Sequence, residues 1–330
     1  MKIVFTGGGT AGHVTPNLAL MPYFDEPHYI GGDGIEKTLI TKNYHQITTA
    51  KLRRSLSPKN LATPFRVMRG TREAKKLLRE IKPDIVFSKG GFVAYPVVAA
   101  AGKLGIPVII HESDMSMGLA NRMSVKHADT ILTTFEQTAD ELRKKYPNKK
   151  IIHTGAPIRP EVFRGDPTTI PHRGPRNLLV MGGSQGATAI NTALVTALPN
   201  LDGYQILHIT GRGKSTTITD DKYTQMEYMN NIPDALAWAD IVVARAGSNT
   251  VCELLALGKS AVLIPYHAGR GDQIQNAEFA RTHGAAILLQ PDLTPETLIT
   301  AIKSAPTITP VKSLNGRARI VEIITNYSTR

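Results

Sequence analysis

Cysteine occurs once in the 330 residues, at Cys252, which excludes an intramolecular disulfide and a cysteine-based zinc site. A reducing cytosol fits that usage. Long apolar runs are also missing: none approaches the roughly 18–20 residues needed to cross a bilayer, so membrane contact is expected to be peripheral. The start, MKIVFTGGGTAGH, passes from one lysine into a short apolar strand and a glycine loop, leaving no room for a signal peptide, and the expectation is a protein that is not exported. Aromatic residues are few, 6%, and scattered without a recognition motif, which argues against a nucleic-acid binder. Acidic residues are in deficit, 27 against 39 lysines and arginines, and the formal charge is +12. A polyanionic partner is implied: nucleic acid, an anionic membrane or a phosphorylated substrate.

That charge is concentrated. Residues 51–82 hold eleven basic side chains, among them Lys51, Arg53, Arg54, Arg66, Arg69, Arg72, Lys75, Lys76, Arg79 and Lys82, against Glu73 and Glu80. Leu52, Leu56, Leu61, Phe65 and Met68 are interleaved with them, as a surface that docks on an anionic leaflet requires, although a solvated charged face with those apolar groups in the core fits the same pattern.

Hydrophobic content of 42% suits a globular enzyme, and the length suits two domains. Short β-branched runs alternate with helical patterns throughout, the mark of βαβ units and parallel sheets. Strands are expected at Lys2–Thr6, His28–Ile30, Gln46–Thr49, Asp84–Ser88, Val108–His111 and Thr130–Thr133. A second series is expected at Leu178–Met181, Gln205–Thr210, Ile241–Ala244, Ala261–Pro265 and Ala286–Leu289. Val67, Ala74, Leu78 and Ile81 share one face of a helix that Thr63 can cap and Pro64 can start. Five prolines in residues 157–175 mark the domain boundary. The domains are therefore expected at 1–158 and 159–330, leaving open that the last helix packs back on the first.

Three loops carry chemistry. Gly7-Gly8-Gly9-Thr10-Ala11-Gly12-His13 formally contains G-x-G-x-x-G after the first strand, with Asp33 about twenty residues on, as in NAD-dependent dehydrogenases. Its glycines allow close backbone approach to a phosphate or a developing oxyanion, or simply a tight turn for packing. Met181-Gly182-Gly183-Ser184-Gln185-Gly186-Ala187 repeats the arrangement in the second half. Arg245-Ala246-Gly247-Ser248-Asn249-Thr250-Val251-Cys252-Glu253 opens a helix whose amides and hydroxyls suit a diphosphate, with Glu253 one turn in, where a carboxylate can accept from ribose hydroxyls. N-capping by Ser248 and a solvated Glu253 is the plainer alternative.

Taken together with KGGFVAYP at 89–96, HESDMSMGLANR at 111–122, TGAPIRPEV at 154–162 and the Gln273/Asn276 helix start, these motifs resemble the MurG family of bacterial glycosyltransferases over nearly the whole chain. The resemblance implies an α/β fold of GT-B architecture, two doubly wound Rossmann-like domains facing across a cleft. It implies inverting transfer of N-acetylglucosamine from UDP-N-acetylglucosamine to the C4 hydroxyl of a lipid-linked muramyl-pentapeptide, in peptidoglycan synthesis at the cytoplasmic face of the cell membrane. Carried over by motif, Arg159 and Ser184 face the UDP moiety and Met229 meets the uracil through its backbone. Ser248, Asn249, Thr250, Val251, Cys252 and Glu253 hold diphosphate and ribose, and Gln273 touches the sugar hydroxyls. Thr10, Ala11 and Gly12 line the reaction centre, with His13 as the base. Two departures stand out: the helix after the first loop, Asn17 to Phe24, is short, and Asp114 replaces a frequent asparagine. No cofactor is implied, and the absence of Asp-x-Asp leaves no metal clamp evident. A UDP-N-acetylglucosamine 2-epimerase or a glycolipid transferase remains the nearest alternative within the fold. His111 and Glu112 end a strand at the sheet's carboxyl edge, as either ligand groups or a structural pair.

Overall fold

A computed structural model describes residues 1–50, 63–171, 174–183, 185–267 and 271–327. The chain divides into two compact units: Met1–Ile158 with Asn315–Arg330, and Arg159–Leu314.

The first unit is built on seven parallel strands: β1 (Lys2–Thr6), β2 (Glu26–Gly31), β3 (Tyr44–Gln46), β4 (Ile85–Ser88), β5 (Val108–Glu112), β6 (Thr130–Thr133) and β7 (Lys150–His153). Their order, β3-β2-β1-β4-β5-β6-β7, reverses direction at β1/β4, the switch point where doubly wound sheets place ligands. The connecting helices are α1 (Ala11–Leu18), α2 (Ile35–Leu39), α3 (Thr63–Ile81), α4 (Ala94–Lys103), α5 (Leu119–Ser124) and α6 (Glu136–Lys145). Each central strand is apolar on both faces because helices cover both. Val4, Val86 and Ile110 meet Ala74 and Leu78 of α3 and Val97 and Ala101 of α4. Alternate residues Ile3, Phe5, Phe87 and Ile109 meet Val14 and Leu20 on the opposite side.

Arg159–Leu314 repeats this plan with β8 (Arg176–Met181), β9 (Tyr204–Ile209), β10 (Tyr223–Met226), β11 (Ile241–Ala244), β12 (Ser260–Leu263) and β13 (Ala286–Ile287), ordered β10-β9-β8-β11-β12-β13 and all parallel. Its helices are α7 (Thr188–Ala197), α8 (Ile232–Trp238), α9 (Ser248–Leu257), α10 (Asp272–Arg281) and α11 (Pro295–Lys303). The last helix, α12 (Arg317–Thr325), belongs to the first unit, where Ile320 and Ile324 are fully buried in the cluster around Phe5 and Phe87.

Several boundaries differ from expectation. β3 covers Tyr44–Gln46 rather than Gln46–Thr49, because Tyr44 and His45 take the ladder positions beside Tyr29 and Ile30. Thr48 is instead drawn to α3, where its amide and hydroxyl donate to the Glu73 carboxylate at 2.6 and 3.0 Å. Thr63 is the first residue of α3 itself. The expected helix Asn17–Phe24 lies earlier, at Ala11–Leu18, followed by a 3-10 turn at Met21–Tyr23. The edge strands β7 and β10 were not expected from sequence.

Candidate active site

In the first unit, β1 runs into the glycine loop, which Gly9 turns with φ +82°. Thr10 is extended and α1 begins at Ala11, so Ala11, Gly12 and His13 form its first turn. The positive end of the helix dipole lies at this turn, and the His13 amide donates to the Thr10 carbonyl at 3.1 Å. Thr10 Oγ1 lies 2.9 Å from His13 Nδ1. When Nδ1–H donates to that oxygen, Nε2 carries the ring's lone pair and can accept a proton. Gly91 packs over this turn so closely that a Cβ there would stand 2.4 Å from the Gly8 carbonyl and 3.4 Å from His13 Nδ1.

Beneath the loop lies a residue that sequence reading missed. Glu36 is buried, and its carboxylate accepts the amides of Gly9 at 3.2 Å and Gly32 at 3.0 Å. A Cβ on Gly8 would come 2.6 Å from its carboxyl carbon. The buried Glu36 carboxyl thus packs against the glycine loop, while Asp33, on which the NAD-dependent dehydrogenase reading leaned, is exposed and bound to Lys37 at 3.0 Å. Only the crowding of glycines around Glu36 hinted at it in the sequence.

At the ends of β4 and β5, buried Lys89 Nζ donates to His111 Nδ1 at 2.6 Å, and His111 Nε2 donates to the Gly155 carbonyl at 3.1 Å. Burial and the adjacent ammonium hold His111 neutral by pushing its pKa well down. Glu112 organises the following loop: it accepts the amides of Ser113 and Asp114 on one oxygen, and those of Gly118 and the Asn121 side chain on the other. Burial, reinforced by Asp114, raises its pKa. Both residues are fully engaged in holding the sheet's carboxyl edge.

In the second unit the corresponding edge collects most of the expected donor residues. Gly247 caps α9, making Ser248 the first helical residue rather than the cap. Ser248, Asn249 and Thr250 form the opening turn, where the dipole favours an anion. Val251 and Cys252 are wholly buried, and the Val251 amide donates to the Gly247 carbonyl at 2.9 Å, so neither residue exposes an atom to a ligand, contrary to expectation. Glu253 is partly exposed yet strongly desolvated: burial raises its pKa to about 7, opposed by the positive charge of Arg159. Arg159 Nε is buried and has no hydrogen-bond partner. Gln273, on the first turn of α10, accepts from the Tyr266 amide at 2.8 Å through Oε1, which leaves its NH2 to donate. Asn276 ties α10 to the loop before α9 by donating to the Ala246 carbonyl at 3.1 Å. The side chain of Met229 lines a cavity of about 370 Å³ with Leu207, Met226 and Trp238. Ser184 lies outside the described residues; its neighbours Gly183 and Gly186 take φ of +84° and +66°.

Residues 3–133 match the glycosyltransferase family 28 N-terminal domain and residues 177–308 its C-terminal domain. The chain is 44% identical to the UDP-N-acetylglucosamine--N-acetylmuramyl-(pentapeptide) pyrophosphoryl-undecaprenol N-acetylglucosamine transferase 2 of Bacillus cereus, covering 99% of each chain. It is 46% identical to the corresponding transferase of Lachnospira eligens, covering 92% of this chain and 90% of that one. Among solved structures it is similar to Acinetobacter baumannii MurG, with a TM-score of 0.74, 26% identity, and coverage of 98% and 99%.

Proposed function

Because the chain belongs to glycosyltransferase family 28, and within it to the MurG family, we propose that its two carboxyl edges divide the work of a glycosyl transfer between them. The enzyme transfers N-acetylglucosamine from UDP-N-acetylglucosamine to lipid-linked N-acetylmuramyl-pentapeptide, the lipid I to lipid II step of peptidoglycan synthesis. The Arg159–Leu314 unit binds the sugar nucleotide and the other unit binds the lipid-linked acceptor.

The observation that carries the residue assignment is the opening turn of α9, Ser248–Thr250, with Glu253 one turn on and under the positive charge of Arg159. The ionised Glu253 carboxylate accepts from ribose hydroxyls. The amides and hydroxyls of Ser248–Thr250, with Arg159, face the diphosphate and stabilise the charge that grows on it as UDP leaves. Ser184 and the loop around it take the same diphosphate, the Met229 backbone meets the uracil, and the Gln273 NH2 donates to a sugar hydroxyl. On the acceptor side, Thr10, Ala11 and Gly12 line the approach of the C4 hydroxyl. Through Nε2, His13 removes that hydroxyl's proton as its oxygen attacks the anomeric carbon from the face opposite UDP, which inverts the configuration.

A lipid-borne acceptor requires the enzyme to reach the membrane, and among the described residues no helix is long and apolar enough to cross one. The outer face of α3 supports peripheral docking on the anionic cytoplasmic leaflet. Phe65 is 72% exposed and Met68 49%, so neither joins the core, and Arg66, Arg69, Arg72, Lys76 and Arg79 are exposed around them. Lys51, Arg53, Arg54, Leu52, Leu56 and Leu61 of the same cluster lie outside the described residues.

Incubation with UDP-N-acetylglucosamine and a lipid-linked muramyl-pentapeptide analogue tests the reaction, read as UDP release together with the disaccharide product. His13→Ala should lower kcat by about 10²–10⁴-fold with UDP affinity preserved. A near-normal kcat at saturating acceptor would remove His13 from the role of base.

A further inference from the structure

The tight turn Gly211–Lys214, which follows β9, touches both loops assigned to the nucleotide. On one side, the Thr210 and Gly211 amides donate to the Met226 and Glu227 carbonyls at 2.9 and 3.1 Å. The Arg212 guanidinium lies 5.7 Å from the centre of the Tyr228 ring, next to Met229. On the other side, the turn lies backbone to backbone on the second glycine loop. A Cβ on Gly186 would stand 2.0 Å from the Thr210 carbonyl, and one on Gly211 would stand 2.6 Å from Gly186 Cα. No side chain fits between them.

Lys214 completes that contact. Its Nζ donates to the Gln185 carbonyl at 2.8 Å and to the Gly186 carbonyl at 3.2 Å. A trans peptide unit directs its C=O and N–H to opposite sides, so a held carbonyl also fixes the amide that shares its plane. The carbonyl of Gly186 shares its plane with the amide of Ala187, the cap of α7. Holding it on Lys214 therefore turns the Ala187 amide away from the lysine, at the helix end where the dipole is positive. The Gly186 amide is already tied to the Gly183 carbonyl at 2.9 Å, so without a cation it is the Gly186–Ala187 peptide that could turn over, by rotation at Gly186.

We propose that Lys214 is a positioning residue for the donor's diphosphate: by holding the Gln185 and Gly186 carbonyls on its own side, it leaves the Ala187 amide, at the cap of α7, to face the phosphates. This rests on the assignment of that loop to the diphosphate. A merely structural role would affect uridine and UDP alike, whereas a loop-presetting role affects only the ligand that carries phosphates.

Isothermal calorimetry with UDP and with uridine, on the full chain, separates the two. Lys214→Met keeps the apolar stem and removes both bonds. It should weaken UDP binding about 5- to 20-fold and leave uridine binding unchanged. In turnover, KM for UDP-N-acetylglucosamine should rise in the same proportion, with kcat within about twofold and KM for the lipid acceptor constant. Lys214→Arg, which retains a cation able to bond two carbonyls, should recover most of the loss. If Lys214→Met lacks a cooperative thermal transition, Lys214→Gln is measured in its place. Equal weakening of UDP and uridine, or no weakening of either, overturns the role of Lys214. A wild-type protein that binds uridine as tightly as UDP overturns the diphosphate assignment of the loop itself.

Discussion

At Glu253 two influences oppose each other: burial favours the protonated carboxyl, and Arg159 favours the carboxylate. Burial wins, and the group titrates at about 7 instead of 4.5. An ionised carboxylate accepts ribose hydroxyl bonds more strongly than a protonated one, so UDP-N-acetylglucosamine affinity should fall as pH drops below about 7, by up to tenfold per unit. Glu253→Gln should flatten that slope in calorimetry between pH 5.5 and 8; a slope retained in the variant would assign it to another group. Stability of the ligand-free protein has the opposite sign. A raised folded-state pKa contributes stability in full below about 4.5, and the contribution is lost as pH rises through about 7. The thermal midpoint of Glu253→Gln should therefore gain on that of the wild type above pH 7. The spacing in Ser248–Glu253 was enough to place a carboxylate one turn into a helix. What it lacked was the environment: Arg159 is distant in sequence, and desolvation depends on packing that no motif encodes. Glu36 was illegible for the same reason, being drawn under the first glycine loop by a fold-dependent return of the chain.

Among elements, the central strands were readable, whereas of the four edge strands β3 and β13 were expected with shifted limits and β7 and β10 were missed. β1, β6 and β11 were expected with their observed limits, because strands covered on both faces are unbroken apolar runs. β7, with the sequence KIIH, and β10, with YTQM, pair on one side only and carry polar residues, so neither reads as such a run. The two-domain α/β plan followed from the alternation of runs and helical segments, while the missing edges follow from its weakest point. α3 was half legible. Of the expected inner face, Ala74, Leu78 and Ile81 are buried and Val67 only partly so, while Phe65 and Met68 could not be assigned to core or surface from spacing alone. Their exposure among arginines makes the helix testable as a unit. Phe65→Ser with Met68→Ser should reduce sedimentation with anionic vesicles even at high salt, whereas Arg66→Gln with Arg72→Gln should reduce it chiefly at low salt. Vesicle binding indifferent to both pairs and to salt would rule out α3 as the docking element.

At the scale of the whole molecule, the first unit is assembled from two separate stretches of chain. Its second stretch is tied to the first by the Gly316 amide donating to the Ala156 carbonyl at 2.8 Å and by Arg317 Nη1 donating to the Ile158 carbonyl at 3.0 Å. Removing buried methyl groups from α12 should therefore weaken a sheet more than two hundred residues earlier. Ile324→Ala is expected to cost about 2–4 kcal/mol, measured as faster amide hydrogen exchange in β1 and β4; unaltered exchange there would show that α12 contributes no stability to that sheet. The same arrangement imposes an order in time. On the ribosome, the apolar face formed by Ile3, Phe5, Phe87 and Ile109 must wait for all of Arg159–Leu314 to be synthesised, roughly 8–30 s at about 5–20 residues per second, before α12 exists to cover it. During that interval the nascent chain lacks the two isoleucines that complete this cluster, and a chain that stops before residue 317 never acquires them.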